Sequence, residues 1–358
     1  MTPGRIVERG IERRAFPSAV VEAGRRESVT WRQAFGRLTY AEDAPATTEE
    51  TIYDLASLTK VIATATRAMQ AVEAGALALD DRVAKYLPDW RGIDRESVTI
   101  ADLLEHASGL TGYLPFFRDH HGRAEFQRAI CTLPLEYAPR TQSIYSDLGF
   151  MLLGFILEDV GLSLEDLSFR LKAEATGSET EATGSEAEAT LTEHGSFRLQ
   201  AKDRDRCAPT ELDLWRGRLL QGEVHDENAW ALGGVAGHSG MFGTAAAVGT
   251  FARDVLKGLH GEQTFARPAT FARFVRKSTV PGSSRALGWD TMLPTSSCGT
   301  RLSPRAIGHT GFTGTSLWID PELDLYVVFL TNRVHPARDN NAIQPVRRAL
   351  HDAVVSNQ

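Results

Sequence analysis

Thr51-Ile52-Tyr53-Asp54-Leu55-Ala56-Ser57-Leu58-Thr59-Lys60-Val61-Ile62-Ala63-Thr64-Ala65-Thr66 is the stretch from which the rest of the chain is read. Within it, Ser57-Leu58-Thr59-Lys60 opens an apolar run that predicts a helix from about Ser57 to Glu73, stopped by Gly75. Positions three apart share a helix face, so the Lys60 ammonium falls beside the Ser57 hydroxyl. A free serine hydroxyl is a weak nucleophile and needs a neighbouring base or cation. Asp54 sits where it caps or precedes the helix, and small residues crowd the serine. A serine at a buried helix N-terminus also gains the positive end of the helix dipole and free backbone N–H groups, which suit an oxyanion. A lone Ser-x-x-Lys is as a rule solvated helix surface; the surroundings of this one argue for chemistry.

Working outward, the 358 residues suit one large domain or two closely packed lobes, with enough aliphatic content for a sizeable core. The formal net charge of −7 argues against a nucleic-acid surface, where a basic patch is expected. Cys131, Cys207 and Cys298 are far apart and odd in number, so each is expected to be a buried thiol rather than part of a disulfide framework. Met1-Thr2-Pro3-Gly4-Arg5 leads into a charged stretch without an apolar signal core, and no later run reaches membrane-spanning length. The expectation is a soluble, cytoplasmic protein without a membrane partner; an export signal upstream of this start would make it periplasmic. The oligomeric state is left open.

Residues 4–15 predict an amphipathic helix, and Ser18 to Ala23 and Val29 to Phe35 predict two strands joined by the turn Gly24-Arg25-Arg26-Glu27. Asp80 to Pro88 reads as a short helix and turn, and Thr99 as the N-cap of a helix ending near His106-Ala107-Ser108-Gly109-Leu110. Residues 146–159 predict a strongly apolar helix. Gly314 to Asp320 and Leu325 to Thr331 predict paired strands, and Ala342 to Val355 a last helix. Strands at both ends with helices between them imply an α/β (α+β) architecture, with one mixed sheet built from both termini and a mostly helical middle. A cleft between the two is the natural place for a site. Ser168 to Ala173 recurs almost unchanged as Ser196 to Ala201, and Glu174-Ala175-Thr176-Gly177-Ser178-Glu179 as Glu181-Ala182-Thr183-Gly184-Ser185-Glu186. Residues 174–193 are therefore read as a low-complexity acidic insertion, expected to be a disordered surface loop because it cannot offset its ordering entropy by burial. An acidic binding arm is the alternative.

Two further constellations bear on the chemistry. Tyr145-Ser146-Asp147 starts the apolar helix. A phenol near an ammonium can exchange protons with a serine hydroxyl once its pKa falls from the usual ~10. Asp147 could orient the lysine or bind a polar group of the substrate; a helix cap plus a half-buried aromatic is the plainer reading. Gly308-His309-Thr310-Gly311-Phe312-Thr313-Gly314 leads into a strand, and its glycines allow a substrate close to the backbone. The N–H groups of Phe312 and Ser57 could form an oxyanion pair, and His309 could supply a hydrogen bond or a partial positive charge. A glycine-rich turn is the plainer reading.

The set Ser-x-x-Lys, Tyr-x-Asp and His-Thr-Gly resembles the serine β-lactamase and penicillin-binding-protein superfamily. The Tyr-x-Asn-like element is similar to that of the class C β-lactamase, D-alanyl-D-alanine carboxypeptidase and related-esterase branch. Phe16-Pro17-Ser18-Ala19-Val20-Val21 and Leu103-Leu104-Glu105-His106-Ala107-Ser108-Gly109-Leu110 resemble that group in order and spacing as well. The resemblance covers most of the chain except the acidic repeat. It implies a β-lactamase/transpeptidase-like fold and a single catalytic domain over residues 1–358, with a sheet lobe at about 1–56 and 280–358 and a helical lobe at about 57–279. It implies Ser57 as the acylated nucleophile, Lys60 as the residue that helps deprotonate it, and Tyr145 as the proton relay. His309 joins them in the catalytic set; Asp147, Thr310, Gly311 and Phe312 are expected to contact substrate, with the Phe312 N–H in the oxyanion hole. The expected substrate is a small ester, amide or peptide, and no cofactor is implied.

Three departures shape that expectation. Asp147 stands where many members have Asn, His309 stands where β-lactamases and peptidases have Lys, and the acidic repeat replaces part of the helical lobe. The first two favour a small ester or a D-amino-acid peptide over efficient β-lactam hydrolysis. A β-lactamase or D-alanyl-D-alanine carboxypeptidase, a catalytically weak binder of cell-wall fragments and an enzyme damaged by the insertion stay open as alternatives. Gly233 to Gly240 fits neither a nucleophile elbow nor a phosphate loop and is read as close backbone packing. Val224-His225-Asp226-Glu227-Asn228 is a candidate cleft lining. Asp119-His120-His121 lacks a partnered ligand set, so no metal site is expected, and Pro209-Thr210-Glu211 is read as a turn with a capping role.

Overall fold

The apolar run Ser18–Gly24 (β1) is buried at every position, as is Leu325–Thr331 (β10). A strand buried on both faces must lie inside a sheet. The computed structural model, which describes residues 1–166 and 195–357, pairs the two antiparallel, with Val20 opposite Leu330 and Glu22 opposite Val328. Val29–Gly36 (β2) flanks β1, and Ser316–Asp320 (β9), Ile307–Thr310 (β8) and Asp290–Thr291 (β7) continue beyond β10. The order is β2-β1-β10-β9-β8-β7, every ladder antiparallel. The two chain ends thus share one sheet, as the sequence pattern predicts.

Side chains on successive strand positions face opposite sides, and the core divides accordingly. Ala19, Val21, Val327 and Phe329 pack with Val7 of Pro3–Glu12 (α1) and with Leu350 and Val354 of Ile343–Ser356 (α9). Val20, Val328 and Leu330 pack on the other face with Val248, Phe251 and Val255 of Ala245–Leu259 (α7) and with the helical region. Glu22 lies on this second face, fully buried, accepting from Arg32 Nε at 2.6 Å, Tyr326 Oη at 2.6 Å and Arg253 at 3.2 Å. Gly249 leaves room for it: a Cβ there would stand 1.7 Å from Glu22 Oε1.

The predicted regular helix from Ser57 to Glu73 is instead three segments: a 3₁₀ turn Ala56–Leu58, a π-helical stretch Lys60–Ala65, and an α-helix Thr66–Glu73 (α2). The wide turn accompanies Lys60, which is buried with its ammonium bonded on three sides, and the Thr66 hydroxyl donates to the Val61 carbonyl at 3.2 Å. Interruptions of this kind concentrate at functional sites. Thr99 does cap Ile100–Leu104 (α3), in a capping box: Thr99 Oγ1 accepts from Asp102 N at 3.3 Å and Asp102 accepts from Thr99 N at 2.9 Å. Gly122–Thr132 (α4) packs on Asp147–Asp159 (α5), in which Leu148 through Leu157 are all buried and Ser146 is the N-cap. The strand predicted from Gly314 begins at Ser316, because Gly314 turns with φ of 116°. The glycine-rich 233–240 stretch packs tightly as predicted: a Cβ on Gly237 would stand 2.0 Å from the Phe150 carbonyl oxygen.

The expected acidic insertion at 174–193 lies outside the described residues. Among the described residues, no helix is long and apolar enough to cross a membrane. Cys131, Cys207 and Cys298 are buried free thiols, and burial pushes each up to about 12.

Candidate active site

Asp54 ends the short strand Tyr53–Asp54 (β3), which pairs with Phe242–Gly243 (β6), and its buried carboxylate fixes the next turn of the chain. Oδ1 accepts from Ala56 N at 2.8 Å and Oδ2 from His225 N at 2.7 Å. Ala56 is held at φ of +46°, a conformation alanine adopts at a cost. The strain sits one residue before Ser57. The glycine-rich turn before β9 is pinned to the same corner: Thr313 Oγ1 donates to the Asp54 carbonyl at 2.7 Å and Thr315 Oγ1 to the Leu55 carbonyl at 3.0 Å. Gly311 makes the approach possible, since a Cβ there would stand 2.6 Å from the Leu55 oxygen. Ser57 and the segment His309-Thr310-Gly311-Phe312, more than 250 residues apart in sequence, therefore line one cleft of about 530 Å³ together with Tyr145 and Asp147.

Lys60 is fully buried and donates to Ser57 Oγ at 2.9 Å, Asp147 Oδ1 at 2.6 Å and the His238 carbonyl at 3.0 Å. Burial pushes its pKa down, but the Asp147 carboxylate and Tyr145 push harder the other way, so the net direction is up and Lys60 rests as an ammonium. The Tyr145 ring lies 4.8 Å from Lys60 Nζ. Burial raises its phenol, Lys60 and Ser57 oppose the rise and Asp147 adds to it, so the net direction is up, against the lowered value expected from the sequence. Of the two roles read for Asp147, the structure shows it as the partner of Lys60, with its carboxylate still at the edge of the cleft.

His309 is buried, and its Nδ1 donates to the Thr310 carbonyl at 2.9 Å. Burial, with Arg285 and Lys60 nearby, pushes its pKa well down. Of the two contributions read for His309, this favours the hydrogen bond over the charge: the imidazole is neutral, and its Nε2 is left as a buried atom without a protein partner among the described residues. Phe312 is half exposed at the cleft mouth, with the His225 ring stacked at 5.7 Å and the Arg333 guanidinium 4.6 Å above it.

Several cleft residues had no local signal in the sequence. Arg285 lies 5.0 Å over the Tyr145 ring, and Tyr113 flanks the same opening. Glu211, read as a cap, is instead an ion-pair residue: it meets His225 Nε2 and Arg338 at 2.7 Å each, and burial notwithstanding these partners hold it down at about 2. Glu211 and Arg338 are separated by 127 residues, beyond any local motif. The candidate lining Val224 to Asn228 does supply His225, Asp226 and Glu227 to the cleft.

Residues 4–351 match the model of the family described as Beta-lactamase. A protein of Salmonella agona (strain SL483) named "Putative D-alanyl-D-alanine carboxypeptidase" is 31% identical over 318 residues, covering 83% of this chain and 73% of that protein. Among solved structures, EstCE1, a hydrolase with promiscuous acyltransferase activity, superposes with a TM-score of 0.72 at 21% identity, over 99% of this chain and 97% of the other. A class C β-lactamase gives 0.71 at 17% identity, over 99% and 97%. The unliganded simvastatin synthase of Aspergillus terreus gives 0.70 at 20% identity, with the same coverage. At these identities the three structures speak for the fold; the family match over nearly the whole chain speaks for descent. This chain belongs to the Beta-lactamase family of serine hydrolases.

Proposed function

We propose that this protein hydrolyses a small ester or a D-amino-acid peptide or amide through an acyl-enzyme on Ser57, with residues 1–358 working as one catalytic domain. The observation that carries the reading is the bond from the buried Lys60 ammonium to Ser57 Oγ at 2.9 Å, inside a cleft that Tyr145 also lines. In the reactive state the Lys60–Tyr145 pair has lost one proton and Tyr145 is a phenolate that the adjacent ammonium stabilises; Ser57 Oγ attacks the carbonyl carbon and its proton passes to that phenolate. The oxyanion sits between the N–H groups of Ser57 and Phe312. Tyr145 returns the proton to the leaving group, and water releases the acid by the same steps in reverse order. His309, neutral, offers Nε2 as an acceptor and lacks the charge a lysine would present to a carboxylate, which favours esters and amides over penicillin-type substrates.

The test is a hydrolysis panel on the protein and on Ser57→Ala: p-nitrophenyl acetate and butyrate, nitrocefin, and a D-alanyl-D-alanine peptide. Turnover of at least one class is expected, lost about 10³-fold or more in Ser57→Ala. Wild-type rates in the variant would sink the assignment.

A further inference from the structure

Four carboxylates line the cleft; Asp290 accepts from the Ser284 hydroxyl at 2.6 Å and Thr291 N at 3.1 Å, and the other three, Asp147, Glu227 and Asp226, lie by Tyr113. Of these three, the first two have permanent cations as partners, Lys60 at 2.6 Å and Arg338 at 2.7 Å. Asp226 does not. Its Oδ1 accepts from Ala229 N at 2.7 Å and from His238 Nε2 at 2.9 Å, and an imidazole is not a permanent cation. Among the described residues no donor is bonded to Oδ2, and the side chain is 22% exposed, toward the cleft. Burial pushes Asp226 up, but His238, the Ala229 N–H and Lys60 together hold it well below the usual carboxylate range, so it stays charged.

A second observation falls in the same corner. Ser239 lines the cleft, is 2% exposed, and its Oγ has no partner among the described residues. A buried hydroxyl without a partner is uncommon, and one facing a cleft is met by a bound group. Ser239 follows His238, whose carbonyl accepts from Lys60, so this corner adjoins the reacting atoms. A carboxylate oxygen free of donors beside an unpartnered hydroxyl matches a compact cation with several N–H donors. We propose that Asp226 and Ser239 bind the protonated amine of the acyl donor, so that the preferred substrates carry a free amino group close to the scissile carbonyl. This rests on the acyl-enzyme reading of Ser57.

The experiment compares alanine p-nitroanilide with N-acetyl-alanine p-nitroanilide, both enantiomers, on the protein, Asp226→Asn and Ser239→Ala. Asparagine keeps an oxygen for Ala229 N and His238; circular dichroism and thermal melts check that the variants fold. The free-amine donor is expected to have the higher kcat/KM, by tenfold or more. The ratio between the two donors falls about tenfold in Asp226→Asn and several-fold in Ser239→Ala, the range of a charge-assisted and a neutral hydrogen bond. A wild-type preference for the acetylated donor, or an unchanged ratio in Asp226→Asn, overturns the proposal. If neither donor gives Ser57-dependent turnover, it is the acyl-enzyme reading that fails for these amides, and calorimetry decides the amine site separately. Alaninamide binding to Ser57→Ala that is lost in Ser57→Ala/Asp226→Asn supports the site; no binding to Ser57→Ala overturns it.

Discussion

Lys60 uses all three ammonium hydrogens inside the protein, on a hydroxyl, a carboxylate and a carbonyl. A buried cation so satisfied is held in one place, and removing it leaves Asp147 without its counter-charge. Lys60→Ala is therefore expected to lower kcat about 10²–10⁴-fold, and to destabilise the fold as well. Asp147 acts on the proton balance: its charge raises both Lys60 and Tyr145. The reactive state has one proton fewer on that pair than the resting state, so activity rises with pH as the proton leaves. Asp147→Asn removes a raising influence from both groups, and the ascending limb of kcat/KM against pH is expected to move to lower pH. A limb that stays in place, or moves upward, would show that Asp147 does not control the pair.

At the level of elements, Ser57 is placed by an irregular segment lodged between regular ones. The Ser57 corner is a strained 3₁₀ turn followed by a π-helical stretch, both anchored by side chains and carbonyls that belong elsewhere: Thr313, Thr315 and the 237–238 carbonyls. The helix α7 shows how closely the regular elements are fitted behind it. Gly249→Ala would drive a methyl group into Glu22 Oε1 and split that carboxylate from Arg253 and Tyr326. A loss of about 2–3 kcal/mol is expected from overpacking and a disrupted buried ion pair, read as a fall in midpoint on chemical denaturation. Unchanged stability would mean that α7 can move away from β1 without cost.

Across the whole molecule, Arg338 comes from 127 residues away to meet Glu211, which also holds His225 behind Phe312. Glu211 is lowered from 4.5 to about 2 on folding. A depressed carboxyl contributes stability that is complete above its unfolded pKa and is lost as pH falls through the folded one. Glu211→Gln is thus expected to cost at most about 3.5 kcal/mol at neutral pH, at about 1.4 kcal/mol per pH unit, and progressively less as pH falls from about 4.5 toward 2. A cost that does not shrink on acidification would assign the effect to packing.

What the sequence determined by itself is what local pattern can carry. The apolar runs at Ser18–Gly24 and Leu325–Thr331 are too continuous for surface strands, so both ends enter one sheet. Thr99 ahead of an apolar run is legible as an N-cap, and it caps α3. Ser57 and Lys60 three apart must lie together in any helix-like turn, and they do, at 2.9 Å, even though the turn is not a regular helix. Only the tertiary structure decided the rest, because those contacts have no separation in sequence that a pattern could encode. Asp147 lies against Lys60, at 2.6 Å, because a buried ammonium requires a counter-charge. His309 is held neutral because the folded chain surrounds it with protein and places Arg285 and Lys60 nearby. Glu211 became an ion-pair residue because folding brought Arg338 to it across 127 residues. Composition and spacing fix which groups are available; desolvation, which exists only in the folded state, fixes which of them are charged and what each one holds.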